Sequence, residues 1–196
     1  LTSSRADFGI YIPLLKVLKA DNYFSFKIIC FGTHLSKFHG YTKDDIISNG
    51  FNVDYEINSV MISDSPNGIS SSIAITSLKF ADFWEKNQNE FDIVFCLGDR
   101  YEMFAAVTSG IPFQIKFAHI HGGETTLGAI DNVFRNSITL ASMYHFVTTE
   151  NFKSRVIELT NSNKNIYISG ALGLDNIKNL DLYKVIEFQN KYAINL

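Results

Sequence analysis

The chain has 196 residues, 46% hydrophobic and 19% charged, which is enough for one domain with a substantial core. Its formal net charge of −3 gives no electrostatic reason to expect nucleic acid or an anionic membrane surface as a partner. No apolar run approaches the roughly 18 residues that a membrane span needs.

Taken in order, Thr2-Ser3-Ser4-Arg5-Ala6-Asp7-Phe8-Gly9 is a small-polar loop leading into an apolar helical pattern at Ile12, Leu14, Leu15, Val17 and Leu18. Pro13 lies within that pattern and is expected to fall in the first turn, where its missing N–H does no harm. A polar turn that opens a helix can bind an anion through unpaired N–H groups, with Arg5 adding charge; the plainer reading is an N-cap beside a solvated arginine. Phe26 to Phe31 is a strand, followed by the loop Gly32-Thr33-His34-Leu35. Thr42 caps a short helix that Gly50 closes, and Asn52 to Ile57 alternates as a second strand. Asn58 to Gly68 is rich in Ser, Asp, Pro, Asn and Gly, and reads as a flexible linker or a mobile substrate loop. A helix follows from Ile69 to about Lys86, with Ile73, Ile75, Leu78, Phe80 and Phe83 mostly on one side and Trp84 as packing.

Phe91 to Leu97 is nearly continuous in apolar residues, as a parallel strand covered on both faces would be, and it exits at Gly98-Asp99-Arg100. Tyr101 to Ser109 is a helix stopped by Gly110 and Pro112. The next strand, from Ile115, carries His119 and His121, whose alternation would turn both imidazoles the same way. Gly122-Gly123 lets the backbone turn sharply or approach a ligand, and Glu124 follows. Ile130 to about Met143 is helical, Tyr144 to Val147 a strand, and Thr148-Thr149-Glu150 caps a helix from about Asn151 to Leu159. Asn165 to Ser169 is a last strand with the exit Gly170-Ala171-Leu172-Gly173, and a final helix starts near Leu174 or Asp175 with a polar break near 176–181. Cys30 and Cys96 each sit in an apolar run and read as buried reduced thiols, which fits a cytoplasmic location. The chain opens without a signal-peptide pattern.

Strands alternating with helices predict an α/β, Rossmann-like, doubly wound parallel sheet, in which a ligand sits outside the carboxyl ends of the strands. Each polar cluster follows a strand: His34, Asp99-Arg100, His119 to Glu124, Thr148-Thr149 and Gly170 to Gly173. Thr2 to Asp7 would follow a strand upstream of Leu1. The ends read as cut, so residues 1–180 are expected to form one domain and 181–196 to begin a connection to a second. Histidines and carboxylates gathered on strand-end turns suit proton transfer.

Several of these stretches resemble the UDP-N-acetylglucosamine 2-epimerase family: Thr2 to Gly9, Gly32 to Leu35, Gly98-Asp99-Arg100-Tyr101-Glu102, His119-Ile120-His121-Gly122-Gly123-Glu124, Ile130-Asp131 with Arg135, and Gly170 to Asp175. The His-Ile-His-Gly-Gly-Glu and Gly-Asp-Arg-Tyr-Glu runs resemble the hydrolysing branch used in sialic- and legionaminic-acid synthesis. The resemblance implies the N-terminal half of a glycosyltransferase-B fold. It implies a reaction in which a base removes the sugar C2 proton while UDP leaves C1, giving a glycal to which water adds, with N-acetylmannosamine as product. It implies a UDP-sugar substrate, no metal, no other cofactor, and a homodimer. A non-hydrolysing epimerase and a sugar-nucleotide-binding domain without catalysis are the alternatives.

That chemistry needs a base held close to a poorly acidic proton, and donors for the departing diphosphate. The acid–base candidates are Asp99, His121, Glu124 and Asp131. Ser4, Arg5, Arg100, Glu102 and His34 are the substrate-binding candidates. Each has a plainer role: Asp99 as a cap, Glu102 as a first-turn carboxylate or a partner that positions Arg100. His119 is expected to be structural and His145 to be packing. The positions after Asp131 and after Arg135, where the resembling family usually has an acid or polar residue and a histidine, hold Asn132 and Asn136. Asparagine takes no proton at neutral pH.

Overall fold

The computed structural model describes residues 1–178 and 183–194, and strand and helix alternate through them. The elements are α1 (Arg5–Ala20), β1 (Ile29–Phe31), α2 (Lys43–Ser48), β2 (Tyr55–Ile57), α3 (Pro66–Asn87), β3 (Val94–Leu97), α4 (Tyr101–Gly110), β4 (Phe117–Ile120), α5 (Asp131–Ala141), β5 (Tyr144–Val147), α6 (Glu150–Thr160), β6 (Ile166–Ile168), α7 (Leu174–Lys178) and α8 (Val185–Tyr192). The expected domain boundary at 180/181 lies outside the described residues.

All strand pairs are parallel: β1 with β2, and β3, β4, β5 and β6 in that order. Thr2 joins the two ladders. Its N–H donates to Ile29 O (3.0 Å), its carbonyl accepts from Phe31 N (3.1 Å), and the Leu1 amino group donates to Phe95 O (3.0 Å). Residues 1–2 therefore lie between β1 and β3, where the strand order reverses, and such a reversal opens a crevice at the strands' carboxyl ends.

Side chains alternate along each strand, and this parity sorts the core into two layers. Ile29, Phe31, Val94, Cys96 and Phe117 pack with Phe80, Phe83 and Trp84 of α3, Met103, Ala106 and Val107 of α4, and Ile138 of α5. On the other face Ile28 and Cys30 pack with Phe8 of α1, while Leu97 and Ile120 pack with Tyr11. Burial pushes the thiols of both Cys30 and Cys96 up to about 12, so neither is a nucleophile at neutral pH.

The structure departs from the sequence reading in three places. The buried stripe of α3 is Gly68, Ser72, Thr76, Phe80, Phe83 and Trp84, whereas Leu78 is 68% exposed. Small polar residues take the sheet-facing positions because their hydroxyls have work there. Ser72 Oγ accepts from Met61 N (3.1 Å) and Thr76 Oγ1 donates to Ser59 Oγ (2.8 Å), which ties the start of the supposedly flexible 58–68 segment to the helix. His121 lies beyond the end of β4 with φ +66°, so it does not alternate with His119 on one strand.

Pro13 is the third departure: α1 starts at Arg5, which puts the proline well inside the helix. The carbonyl four residues earlier, Gly9 O, loses its helical donor. Asn176 Nδ2 on α7 donates to it instead, at 2.8 Å. This predicts a coupled pair. Asn176→Ala should cost about 1–2 kcal/mol in urea unfolding, and the cost should shrink in a Pro13→Ala background, where residue 13 regains an N–H for Gly9 O. Equal costs in both backgrounds would show that Asn176 does not replace the helical donor.

Candidate functional site

The carboxyl ends of β3, β4 and β5, with the first turns of α5, bring together groups from separate stretches of the chain. Asp99 leaves β3 after Gly98, whose φ of +75° turns the chain. Its Oδ2 pairs with the guanidinium of Arg135, which α5 presents nine-tenths buried. Arg135 Nη1 also lies 3.8 Å from Glu124 Oε2. Glu124 Oε1 in turn meets His121 Nδ1 at 2.8 Å and accepts from Thr148 Oγ1 at 3.0 Å, at the exit of β5. The network is thus Asp99–Arg135–Glu124–His121, with Thr148 bracing Glu124.

Electrostatics follow from these contacts. Burial opposes ionisation of Glu124, but the bonds from His121 and Thr148 and the field of Arg135 outweigh it and hold the carboxyl below the usual carboxylate range. An ionised Glu124 accepts from His121 Nδ1–H. That places the imidazole lone pair on Nε2, which is buried and has no protein partner.

Beneath this network His119 is fully buried. Its Nε2–H donates to Gly98 O (2.8 Å), and Nδ1 faces the Thr139 hydroxyl on α5 (3.1 Å). Burial pushes its pKa down to about 3, so it is a neutral strut. His145, paired opposite it on β5, is likewise held down, to about 4, by burial. Gly122 and Gly123 serve close packing. A Cβ on Gly122 would sit 3.0 Å from His119 Nδ1, and one on Gly123, at φ +77°, would sit 2.5 Å from Phe152 O of α6.

The other candidates are placed differently. Asp131 is the first residue of α5, half-buried and one turn before Arg135. Arg100 forks onto the fully buried Glu102, with bonds of 3.2 and 2.7 Å. Ser4 Oγ caps α1 by accepting from Asp7 N (3.3 Å), and Asp7 in turn binds the hydroxyl and N–H of Ser3. Arg5 is exposed on the first turn of α1. His34 is fully buried with both ring nitrogens engaged, by Thr2 Oγ1 (2.9 Å) and Thr42 Oγ1 (2.8 Å), so it offers no free nitrogen to a ligand. Sequence reasoning placed Thr148 in a strand-end cluster but not against Glu124, and it did not foresee the Asp99–Arg135 pairing.

A cavity of about 370 Å³ lies at the opposite, amino end of β5 and β6, lined by Ser142, Met143, His145 and Asn165 among others, and holds none of these groups. Among the described residues no group of three His, Cys, Asp or Glu side chains is arranged to hold a metal ion. No helix among them is long and apolar enough to cross a membrane.

A family model described as UDP-N-acetylglucosamine 2-epimerase matches residues 16–195. The chain is 33% identical over 193 residues to the polysialic acid biosynthesis protein P7 of Escherichia coli, covering 98% of the chain and 49% of that protein. It is 31% identical to the UDP-N,N'-diacetylbacillosamine 2-epimerase (hydrolyzing) of Legionella pneumophila, covering 100% of the chain and 51% of that protein. The chain spans about half the length of the curated relatives it matches. The crystal structure of UDP-GlcNAc 2-epimerase from Neisseria meningitidis bound to UDP-GlcNAc superposes with a TM-score of 0.74 at 18% identity, over 98% of this chain and 51% of that one. At that identity the likeness establishes the shared Rossmann-like α/β fold.

The neutral strut has a consequence for acid stability. The native pKa of His119, about 3, lies below its ordinary 6.5, so the unfolded chain binds the proton first as pH falls. Its stabilising contribution is complete above about 6.5 and is lost progressively from there towards about 3. Unfolding free energy measured by urea at about pH 5 should be lower than at about pH 7.5 by on the order of 2 kcal/mol from this group alone. His145→Phe should flatten part of the same slope. A wild-type profile that is level across this window would contradict the assignment.

Proposed function

The chain belongs to the UDP-N-acetylglucosamine 2-epimerase family, and from that premise we propose that the protein containing it is a UDP-sugar 2-epimerase whose acid–base site includes the Asp99–Arg135–Glu124–His121 network. One observation carries the assignment: an ionised carboxylate orients an imidazole whose opposite nitrogen is buried and unpartnered. An imidazole held in this way presents one nitrogen lone pair free of any protein partner, which is the geometry a proton acceptor needs.

In this reading His121 moves the C2 proton through Nε2, the nitrogen that carries the unpartnered lone pair. Glu124 sets the tautomer and stabilises the imidazolium, and Thr148 keeps Glu124 ionised. Asp99, paired with Arg135, accepts from a sugar hydroxyl or acts as the partner acid or base, and Asp131, at the start of α5, is the further candidate for that role. Arg5, with the Ser3-Ser4 turn, lies on the diphosphate side, and Arg100 is held by Glu102 for the same charge. The opposing wall and most of the nucleotide contacts belong, in this reading, to parts of the protein outside this chain, which spans about half the length of its curated relatives. No metal or further cofactor is part of this reading; the protein acts in the cytoplasm, as a homodimer.

The finer reading is the hydrolysing reaction, with free N-acetylmannosamine and UDP as products in nonulosonic acid synthesis. It rests on His121 within the His-Ile-His-Gly-Gly-Glu run and on a 31% identical relative whose name carries the word hydrolyzing. The family likeness is equally compatible with the non-hydrolysing reaction, which returns an epimerised UDP-sugar.

The test uses the full-length protein with UDP-GlcNAc in deuterated water, followed by phosphorus and proton NMR. Deuterium at C2 with release of UDP and free amino sugar is the expected result, whereas deuterated UDP-sugar epimer assigns the non-hydrolysing branch. His121→Phe and Glu124→Gln should each lower kcat at least about 10²-fold, the scale of a lost acid–base group, and Asp99→Asn should do so comparably. Unchanged turnover in all three variants would sink the site assignment.

A further inference from the structure

The six residues from Thr125 to Ile130 form a lip at the edge of the network, and almost none of it is packed. Thr125, Thr126, Leu127 and Gly128 are exposed, Leu127 at 96%, and Gly128 adopts φ +74°. An apolar side chain standing in water does not hold a loop in place, so polar bonds must. They come from two sides. Arg155 of α6 binds the Thr125 hydroxyl. Asn132 of α5 binds the next residue at both its N–H and its carbonyl: Thr126 N donates to Asn132 Oδ1 at 3.0 Å, and Asn132 Nδ2 donates to Thr126 O at 2.5 Å and to Ala129 O at 3.1 Å.

This pattern needs one side chain that accepts and donates at once. A carboxylate could receive the Thr126 N–H, but it would face two carbonyl oxygens as a third acceptor. Asn132 stands where the resembling family usually places an acid or polar residue, and its carboxamide is spent on the lip. We propose that Asn132 is a positioning residue, holding the Thr125–Ile130 lip preformed against the site so that a UDP-sugar meets an ordered wall beside Glu124 and Asp131. The inference rests on the UDP-sugar reading for its ligand and on the three bonds for its geometry. Ordering the lip before binding spares the ligand that entropic cost, so loosening it shows in affinity.

The experiment is made on the full-length protein with Asn132→Ala, which adds no charge beside an anionic ligand. Hydrogen–deuterium exchange without ligand should show the Thr126 and Ala129 amides, the two in the lip with a bonded acceptor, exchanging at least about tenfold faster than in wild type, because an opened lip no longer protects them. Calorimetry should show the Kd for UDP-GlcNAc rising by about tenfold, with the melting temperature unchanged because the lip buries almost no apolar area. Asn132→Gln, which keeps the carboxamide one methylene farther out, should fall between the two. Unaltered exchange would overturn the clamp. Faster exchange with unchanged Kd would overturn the positioning role. A wild type that binds UDP-GlcNAc without turning it over removes the epimerase reading and leaves the affinity comparison to decide the lip; a wild type that does not bind it overturns both.

Discussion

A neutral imidazole buried under the strand ends is the constraint on which the site depends. His119 ties the carbonyl of Gly98, one residue before Asp99, to the hydroxyl of Thr139, one turn after Arg135. It therefore fixes the spacing between the exit of β3 and the inner face of α5, and the Asp99–Arg135 pair closes across that spacing. Charging His119 would place a cation near Arg135 with no room for water, and burial accordingly keeps it uncharged down to about pH 3. Stability and site geometry share one group here.

Above the strut, the chain uses different means at each turn. Where backbones must approach, side chains are absent: Gly122 against His119 and Thr139, Gly123 against the carbonyl of Phe152. Where a backbone group loses its regular partner, a distant amide replaces it, as Asn176 does for the carbonyl that Pro13 strands in α1. Where a loop has no core to rest on, Asn132 and Arg155 hold it by hydrogen bonds. Asparagine recurs because its carboxamide can stand in for a peptide, donating and accepting without charge.

Much of this was legible in advance where the pattern is local. The strands Val94–Leu97 and Tyr144–Val147, the cap at Thr149 and the close of α2 before Gly50 follow from apolar runs and turn residues. The readings of Trp84 and His145 as packing and of His119 as structural also agree with the structure. Pro13 misled because a proline inside a helix is tolerated only when something far away answers the freed carbonyl, and that partner lies 167 residues along the chain from Gly9. Leu78 misled because small hydroxyl residues took the buried stripe of α3. His34 looked like a loop ligand, yet both its nitrogens are consumed within the fold.

By itself the sequence determined the alternation of apolar strands and helices, the parallel sheet that alternation demands, and the fact that histidines and carboxylates gather after strands. These depend on neighbours within a turn or a strand, where spacing alone decides which way a side chain faces. Only the tertiary structure decided which charge answers which: Arg135 with Asp99, Thr148 with Glu124, His121 turned out of its strand by a left-handed residue, and Asn132 spent on the lip. Those partners are brought together by the packing of separate strand–helix units, and nothing in the local pattern encodes the distance between them.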